Sequence, residues 1–492
     1  MLVFASAFKA LTENAPFPWQ SKWYEHLVAG EFAEIATTSI PTGLGKTSVL
    51  ASWLIAYAKN PVVVPRRVVY VVNRRTVVDQ TTAEAERLRA RADNAGLPVP
   101  TISTLRGQFA DNREWSADPS QPAIIVGTVD MIGSRLLFSG YGVGFKAKPL
   151  HAGFLGQDVL LIHDEAHLEP AFQELLISIK MEQQRCREFG QFRVVELSAT
   201  SRGREAFTLS DADREQEEVK KRIHAKKTIV LHEIPDEKKD IADKTLQLAR
   251  AHKDSGQAIL IFARHVETVI AVVAGLRKEK HSVQQLTGTL RGRERDALVE
   301  DPIFRRFLPN AEPADGTVYL VCTSAGEVGV NISADHLVCD LSPFDSMAQR
   351  LGRVNRFGNR SDTRIDIVHP ISFGKDGKLD ELSERRLRTL SLMQILNGDG
   401  SPAALGELDL QSRLSAFTPP PNILPASDIL FDAWALTTIR DKLPGRPPVA
   451  LYLHGVSEYE PPETRVAWRM EVWELRRELD DDRSRKQFQK YA

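Results

Sequence analysis

Short runs of β-branched and other apolar residues recur along much of the chain, and longer stretches of mixed polarity separate them. The runs predict strands at 68–72, 123–126, 159–162, 194–197, 258–262, 318–322 and 365–368. Continuous apolar strands that alternate with helices are typical of a parallel sheet covered on both faces. The sequence therefore predicts an α/β fold.

A charged segment at 211–222 lies between the first four predicted strands and the last three. It is too charged for a core to bury, so we interpret it as a passage between two domains; a helix with a solvated face is the alternative. At about 150 residues per domain, 492 residues predict three units. Gly and Pro clusters after residue 370 indicate that the third is smaller. The predicted domains are 1–205, 206–370 and a C-terminal accessory region at 371–492.

Charge and apolar content exclude several classes of protein. Lys and Arg total 64 and Asp and Glu total 65, a net charge of −1, so any nucleic-acid site must be a local groove. No apolar run approaches the ~20 residues that cross a bilayer, and the N-terminus lacks a secretory signal. We therefore expect a cytoplasmic protein with no membrane partner.

Cys186, Cys322 and Cys339 form no CxxC motif, and we expect all three to be small buried hydrophobic residues. The tail at 474–490 is either an exposed helix or disordered.

A glycine-rich turn precedes a helical stretch at 48–58. Its spacing matches a phosphate-binding loop, in which backbone N–H groups cradle phosphate, Lys reaches the β and γ oxygens and Thr holds Mg²⁺. Ile40 stands where the strict pattern has Gly. The turn therefore predicts a nucleotide site that binds phosphates and Mg²⁺. The residues assigned to the loop are Thr42, Gly43, Gly45, Lys46 and Thr47.

An acidic pair follows directly after the apolar run at 159–162. A strand that ends in two carboxylates places Asp164 where it can hold Mg²⁺ and Glu165 where it can orient or deprotonate the attacking water. We predict that both belong to the nucleotide site.

The second α/β unit lacks a phosphate loop but carries a basic segment, Gln349–Arg356. If the segment is helical, Arg353 and Arg356 lie on one face and can reach a γ-phosphate as arginine fingers. A solvated basic helix is the alternative. We predict that Gln349 and both arginines complete the catalytic set.

Together with Leu197–Thr200 and Thr323–Asn331, these segments resemble the ordered motifs of superfamily 2 helicases, and 164–167 spells the DEAH box. The match covers roughly residues 15–370 and, more weakly, 448–469. Further segments are similar to the CRISPR-associated helicase-nuclease of type I interference systems. They lie at 73–80, 103–108, 127–132 and 286–292.

The resemblance implies two RecA-like domains that bind ATP between them and track along single-stranded DNA from 3′ to 5′. Gln20 would read adenine and Gly329 would approach the ribose, where Asn331 replaces the usual Asp of the family. The residues that would couple hydrolysis to domain movement are His167, Ser198 and Thr200.

Hydroxyl and guanidinium groups in or near the motifs would position the strand by its phosphates. These residues are Arg74, Arg75, Thr76, Arg106, Thr128, Arg264, Thr289 and Arg291. Phosphate contacts alone do not separate DNA from RNA, so an RNA helicase of the DEAH type stays open as an alternative. A nucleotide-dependent binding module with little turnover is a third hypothesis.

The family couples its helicase to an HD nuclease, which needs a His-Asp dyad and further metal ligands. His followed by Asp occurs once, at 163–164, and the chain past residue 370 holds a single histidine, His454. We therefore expect no nuclease activity. The expected partners are single-stranded DNA, a Cascade-type effector complex and an HD nuclease in trans or downstream.

Overall fold

Two parallel sheets organise the residues that the structure, a computed structural model, describes. The seven predicted strands all lie in these sheets, which confirms the α/β prediction. Residues 1–455 form one compact unit. The described residues are 3–106, 114–198, 206–288, 297–298, 300–309, 311, 315–327, 331–374, 378–438 and 447–456.

The first sheet has six strands among the described residues, in the order β1-β6-β5-β2-β4-β3. All six residues of β2 are buried, as expected for an apolar strand with helices on both faces. The strands are β1 (Thr37–Ser39), β2 (Arg67–Val72), β3 (Thr101–Leu105), β4 (Ala123–Thr128), β5 (Val159–Asp164) and β6 (Phe192–Ser198).

The second sheet also has six strands within the described ranges, in the order β7-β12-β11-β8-β10-β9. Five strands match none of the predicted apolar runs, and four of them, β1, β3, β7 and β9, are the edge strands of the two sheets. Edge strands are partly exposed and carry polar residues, so they lack the continuous apolar run. The strands are β7 (Thr228–Ile234), β8 (Ala258–Phe262), β9 (Ser282–Leu286), β10 (Val318–Cys322), β11 (His336–Asp340) and β12 (Arg364–Pro370).

Helices cover both faces of each sheet. Those of the first half are α1 (Phe4–Thr12), α2 (Pro18–Ala29), α3 (Val49–Lys59), α4 (Arg75–Ala92), α5 (Glu114–Ala117), α6 (Val129–Leu136), α7 (Lys148–Gly156), α8 (Pro170–Arg185), α9 (Asp211–Glu215) and α10 (Glu217–Ile223). Those of the second half are α11 (Glu237–Arg250), α12 (Val266–Lys278), α13 (Pro302–Arg305), α14 (Phe344–Leu351), α15 (Glu381–Ile395), α16 (Pro402–Glu407), α17 (Leu410–Ser415), α18 (Asp428–Ala435) and α19 (Ala450–His454). None of the described helices is both long and apolar enough to span a bilayer.

The charged segment at 211–222 differs from its prediction, because it forms α9 and α10 and packs on the first domain. Val219 and Ile223 belong to the core of that domain. Asp213 is buried and its Oδ1 accepts the backbone N–H of Trp19 at 2.6 Å. The apolar residues between the charges supply a buried face, and the passage to the second sheet is the short stretch from 224 to 227.

The residues after 370 also differ from the expected third unit. Helices α15 to α17 pack on the core of the second domain through residues such as Met393 and Leu414. Helices α18 and α19 pack on the first domain, where Trp434 and Leu453 are fully buried. In the described part of this region, the apolar residues therefore complete the two existing cores.

Three prolines carry the chain from the second domain to the first. Thr418 is held on the second domain, where its N–H and hydroxyl donate to Asp345 Oδ1, each at 3.0 Å. Three residues later, Pro421 packs against Gly455, which follows α19 on the first domain. Pro419, Pro420 and Pro421 line a cavity of about 400 Å³ between the domains, with Arg74 on its wall. We call Pro419–Pro421 the proline strap.

The cysteine prediction is correct in part. Cys322 and Cys339 are fully buried in the second sheet, as expected. Cys186 is exposed, because it follows directly after the last turn of α8.

Candidate functional site

Two glycines shape the loop between β1 and α3. Gly43 and Gly45 have φ values of 88° and 74°, which L side chains rarely adopt. A Cβ at Gly43 would lie 3.2 Å from Arg356 Cγ, and one at Gly45 would lie 3.1 Å from Gln20 Nε2. The glycines therefore permit both the turn and the close approach of two other predicted site residues.

The loop lysine meets the acidic pair directly. Lys46 Nζ donates to Glu165 Oε1 at 2.6 Å, and both side chains are largely buried. Burial by itself raises the pKa of Glu165, but the charges of Lys46 and His167 lower it overall, so this carboxyl is ionised. Glu165 has a φ of 52°, which is uncommon for a residue other than glycine and is typical of functional turns.

Asp164 ends strand β5 with a buried carboxyl. Burial, and then the charge of Glu165, raise its pKa to about 6. Its Oδ1 has no hydrogen-bond partner among the described residues. A buried carboxylate oxygen without a partner, beside a loop threonine, fits a hard cation with oxygen ligands. Asp164 and Thr47 are therefore the residues that would hold Mg²⁺.

The second domain contributes three residues to the same cleft. Gln349 Nε2 donates to Glu165 Oε2 at 3.3 Å. The charges of Glu165 and Asp164 act on the buried guanidinium of Arg353, which also donates through Nε and Nη2 to Glu327 O at 3.0 and 2.8 Å. Burial, and then the charges of Arg353 and Arg222, lower the pKa of Arg356 to about 9. Positive charge thus faces the phosphate loop from the second domain.

The expected helix through both arginines is wrong. Helix α14 ends at Leu351 with Gly352 as its C-cap, and Arg353 and Arg356 lie in the turns that follow. Asn355 takes a φ of 44° between them and donates to Lys226 O at 3.0 Å. The arginines share the cleft because of this turn and not because of helical spacing.

Gln20 lies against the loop, as predicted for a residue of the nucleotide site. Its Oε1 accepts Phe17 N–H at 2.8 Å, while its Nε2 donates to Ser48 Oγ at 2.6 Å. Sequence analysis missed Arg222, whose Nη1 donates to Gly43 O at 2.5 Å. Arg222 lies in the charged segment, where no motif distinguishes it from its neighbours.

His167 connects the acidic pair to the end of β6. Its Nδ1 lies 3.0 Å from Ser198 Oγ and 3.5 Å from Glu165 Oε2. These contacts join the acidic pair to the last residue of β6, and the coupling role of His167 and Ser198 stays a prediction. Thr200 and Gly329 lie outside the described residues.

Three of the predicted phosphate contacts follow neighbouring strands at one edge of the first sheet. Arg74, Arg106 and Thr128 come at the carboxyl ends of β2, β3 and β4. Thr128 Oγ1 caps α6 by accepting Met131 N–H at 3.4 Å, and Arg106 is paired with Asp79.

The remaining predicted contacts are less well placed. Arg264, after β8, donates to Glu237 Oε1 at 2.6 Å and lies 3.5 Å from Asp340 Oδ2, so it is neutralised in this state. Arg75 and Thr76 begin α4, and their side chains are outside the described set, as are Thr289 and Arg291.

Comparisons with protein families agree with this geometry. Residues 14–202 match the family described as type III restriction enzyme, res subunit. Residues 255–359 match the C-terminal family of the CRISPR-associated nuclease/helicase Cas3. A comparison with curated proteins found no match.

Solved structures share the fold. T. fusca Cas3 with ATP is 16% identical, with a TM-score of 0.59, over 94% of this chain and 59% of that chain. T. fusca Cas3 with AMPPNP is 15% identical, with a TM-score of 0.59, over 83% of this chain and 53% of that chain. The DUF1998 helicase MrfA bound to DNA is 16% identical, with a TM-score of 0.55, over 87% of this chain and 59% of that chain. The chain thus spans somewhat more than half the length of these proteins.

The two sheets are those of two RecA-like domains, and the cleft between them brings together the residues of the nucleotide motifs. Residues 14–202 and 255–359 are thus similar to the res subunit of type III restriction enzymes and to the C-terminal part of Cas3, respectively, and the chain shares the fold of the Cas3 structures.

Proposed function

We propose that this chain hydrolyses ATP to move along single-stranded DNA from 3′ to 5′ in the cytoplasm, as the motor of a CRISPR type I interference system. The observation that carries the proposal is the meeting of residues from both domains around one carboxylate. Lys46 from the first domain and Gln349 from the second both bond to Glu165. A site split in this way can convert hydrolysis into relative movement of the domains.

The first step of the mechanism exchanges the partner of Lys46. In the structure, Glu165 neutralises Lys46. Bound β and γ phosphates offer the lysine stronger charge-assisted hydrogen bonds, so it leaves the carboxylate. The freed Glu165 then accepts a proton from the attacking water. The enzyme is thus held inactive until phosphate is present.

The second step depends on the turn after α14. Arg353 and Arg356 face the phosphate loop, where they stabilise the charge that spreads over the transferring phosphoryl oxygens. Asp164 and Thr47 would hold Mg²⁺, which would supply charge neutralisation for the transferring phosphates. The arginines belong to the second domain, so hydrolysis requires that the cleft is closed.

The strand would follow the carboxyl edge of the first sheet. Arg74, Arg106 and Thr128 come after three neighbouring strands, at the edge that also carries the nucleotide site. Contacts of this kind position a phosphate backbone without reading sequence. The predicted contacts Arg75, Thr76, Arg264, Thr289 and Arg291 remain part of the proposal.

ATP hydrolysis with and without nucleic acid tests the proposal. We expect single-stranded DNA to stimulate turnover and RNA of the same length and sequence to do so far less. Glu165→Gln is the control for contaminating ATPases. Equal stimulation by RNA would favour an RNA helicase, and turnover no higher than that of the Glu165→Gln chain would favour a binding module.

Direction needs a separate measurement. A DNA strand that carries streptavidin on a 5′ biotin should lose it in an ATP-dependent manner, because a motor that moves from 3′ to 5′ arrives at that end. A 3′ biotin should keep its streptavidin. The reverse result would contradict the polarity.

We further propose that this chain does not cut DNA, and that an HD nuclease, in trans or downstream, and a Cascade-type complex act with it. Single-stranded DNA incubated with ATP and Mn²⁺, Ni²⁺ or Co²⁺ should stay intact. Cleavage that survives stringent purification and an Asp164→Ala substitution would contradict this part of the proposal.

A further inference from the structure

A second cavity, of about 240 Å³, adjoins the nucleotide site on the side of the loop that leads away from Lys46. Pro41 and Thr42 of the loop form one wall, and Gln349 and Gly352 of the second domain form another. Its volume far exceeds the ~10–15 Å³ that one water needs on this measure. The cavity shares Thr42 and Gln349 with the site, but Lys46 and both members of the acidic pair lie outside its lining.

All the charged side chains that line this cavity, among the described residues, are cationic. They are Arg214, Lys227 and Arg413, and the hydroxyls of Ser39, Thr42 and Thr208 add further hydrogen-bonding groups. Such a lining has a positive electrostatic potential and provides the hydrogen-bond donors that an oxyanion needs.

Two of the cations have unused donor capacity. Lys227 is buried and Nζ donates to Leu351 O at 2.7 Å, but an ammonium group has three donors. Arg413 Nε is buried and has no hydrogen-bond partner within the described part of the chain.

Burial is also the main cause of the lowered pKa values of Lys227 and Arg413. It lowers the pKa of Lys227 to about 7. Asp399 and Asp409 act on these groups electrostatically but do not line the cavity. A buried cation with free donors is stabilised when an anion enters.

The position of the cavity connects it to the reaction. Gln349 reaches Glu165 with its Nε2, and its Oε1 is buried without a partner among the described residues. A Cβ at Gly352 would lie 2.7 Å from Thr42 Oγ1, so the two domains touch here. A small opening of this contact would join the cavity to the nucleotide site.

We propose that this cavity binds inorganic phosphate, the oxyanion released by ATP hydrolysis, and that phosphate leaves the nucleotide site through it. The role of the cavity in product release rests on the proposed ATPase function, whereas the binding of an anion in the cavity does not. Departure on this side would let phosphate leave while ADP still fills the cleft.

Binding of ³²P-labelled inorganic phosphate to the full chain without nucleotide tests the site. Arg413→Gln and Arg214→Gln should each weaken binding, by about tenfold for the more enclosed Arg413. Arg388→Gln is the matched control, because Arg388 lies on α15, donates to Ser415 O and does not line the cavity. Thermal unfolding of each variant checks that it is folded.

The phosphate loop also binds phosphate, so two further arms separate the sites. Phosphate in the cavity should persist in Lys46→Ala and in the presence of saturating ADP. Loss of all bound phosphate in either arm would assign it to the nucleotide cleft and overturn the proposal. The same conclusion follows if neither arginine variant weakens binding or if Arg388→Gln weakens it equally.

The release role has its own measurement. Quenched-flow reports phosphate formed, and a fluorescent phosphate sensor reports phosphate released. Arg413→Gln should change the release rate severalfold and leave the formation rate unchanged; identical release rates would overturn the route. A chain that binds phosphate in the cavity but hydrolyses no ATP would refute the proposed ATPase function and leave the anion site standing.

Discussion

The ion pair between Lys46 and Glu165 determines how the nucleotide site behaves at the scale of single residues. Both side chains are about nine-tenths buried, so removal of either leaves the other without its partner in a low-dielectric cleft. We propose that the two residues nevertheless serve different steps, because Lys46 would bind phosphate and Glu165 would handle the attacking water.

Lys46→Ala and Glu165→Gln should both reduce DNA-stimulated turnover to background, for different reasons. The alanine variant loses ATP binding, since it lacks the charge-assisted hydrogen bond to phosphate. The glutamine variant keeps ATP binding and loses about 10²–10⁴ in rate with its general base. A fluorescent nucleotide titration separates the two. Lys59→Ala, at the exposed end of α3, is the control. Turnover retained in Lys46→Ala or Glu165→Gln would contradict the assignment of the site.

Arg353→Ala should lower kcat by about 10³ or more and change ATP affinity little, because a finger acts on charge that develops in the transition state. Arg353→Lys should not restore the rate, since a single ammonium cannot replace the fork that binds Glu327 O. Arg360→Ala, which removes a surface pair with Asp362, is the control. A loss confined to ATP affinity would make Arg353 a ground-state contact.

The sequence indicates these residues as candidates because the chemistry of phosphate transfer requires fixed residue types at short spacings. It does not reveal how the two halves of the site meet. Arg222 donates a hydrogen bond to Gly43 O from a segment whose charged sequence suggests that it is solvated. Asp213 accepts a hydrogen bond from the N–H of Trp19, which lies 194 residues away in sequence. Such contacts depend on long-range packing, which leaves no periodic signal along the chain.

At the scale of elements, α19 shows how the end of the described chain is fixed to the first domain. Leu453 is fully buried against Gly133 and Phe172, where a Cβ at Gly133 would lie 2.3 Å from Leu453 Cδ2. His454 adds contacts at 2.9 Å to Asp130 and 3.3 Å to Glu169. Apolar fit and charge therefore both hold the helix.

Leu453→Ala should lower the free energy of unfolding by about 2–5 kcal/mol, the usual cost of a large cavity in a core. Leu451→Ala, on the same helix but 40% exposed, is the matched control and should cost far less. Chemical denaturation measures both. Equal effects would show that Leu453 contributes helix propensity and not packing.

The His454 contacts predict a pH dependence of stability. Hydrogen bonds from the imidazolium to Asp130 and then Glu169 raise the pKa of His454 from 6.5 to about 10. The protonated His454 side chain therefore stabilises the fold. This stabilisation is fully present below pH 6.5, declines as the pH rises and is lost above about 10. The difference in unfolding midpoint between the natural chain and His454→Gln should follow this course. A difference that is constant from pH 6 to 10.5 would exclude the ion pairs as its cause.

Sequence patterns predict elements well where burial is uniform. The fully buried strands β2 and β8 appear as apolar runs, whereas the edge strand β9, with the pattern Ser-Val-Gln-Gln-Leu, does not. Helix α14 ends earlier than expected because Gly352 caps it, so the fingers depend on a turn that helical spacing does not predict.

At the scale of the whole molecule, the position of a residue along the chain does not reveal the domain to which it belongs. Composition shifts after residue 370 indicated a separate unit, but α18 and α19 return to the first domain. Local composition reports flexibility and polarity, while membership of a core depends on where apolar side chains end up. The second domain is thus an insertion between two parts of the first.

An inserted domain is attached at two places, and two points define an axis. One attachment is the stretch from Ile223, in the first core, to Lys227, whose carbonyl accepts Gly400 N–H of the second domain. The other is the proline strap, three residues that span about 3.1 Å each in the polyproline II form that proline favours. We expect these two short links to keep the domains together, so that a cycle of ATP binding and hydrolysis turns the second domain about a line through both links and opens the cleft by rotation.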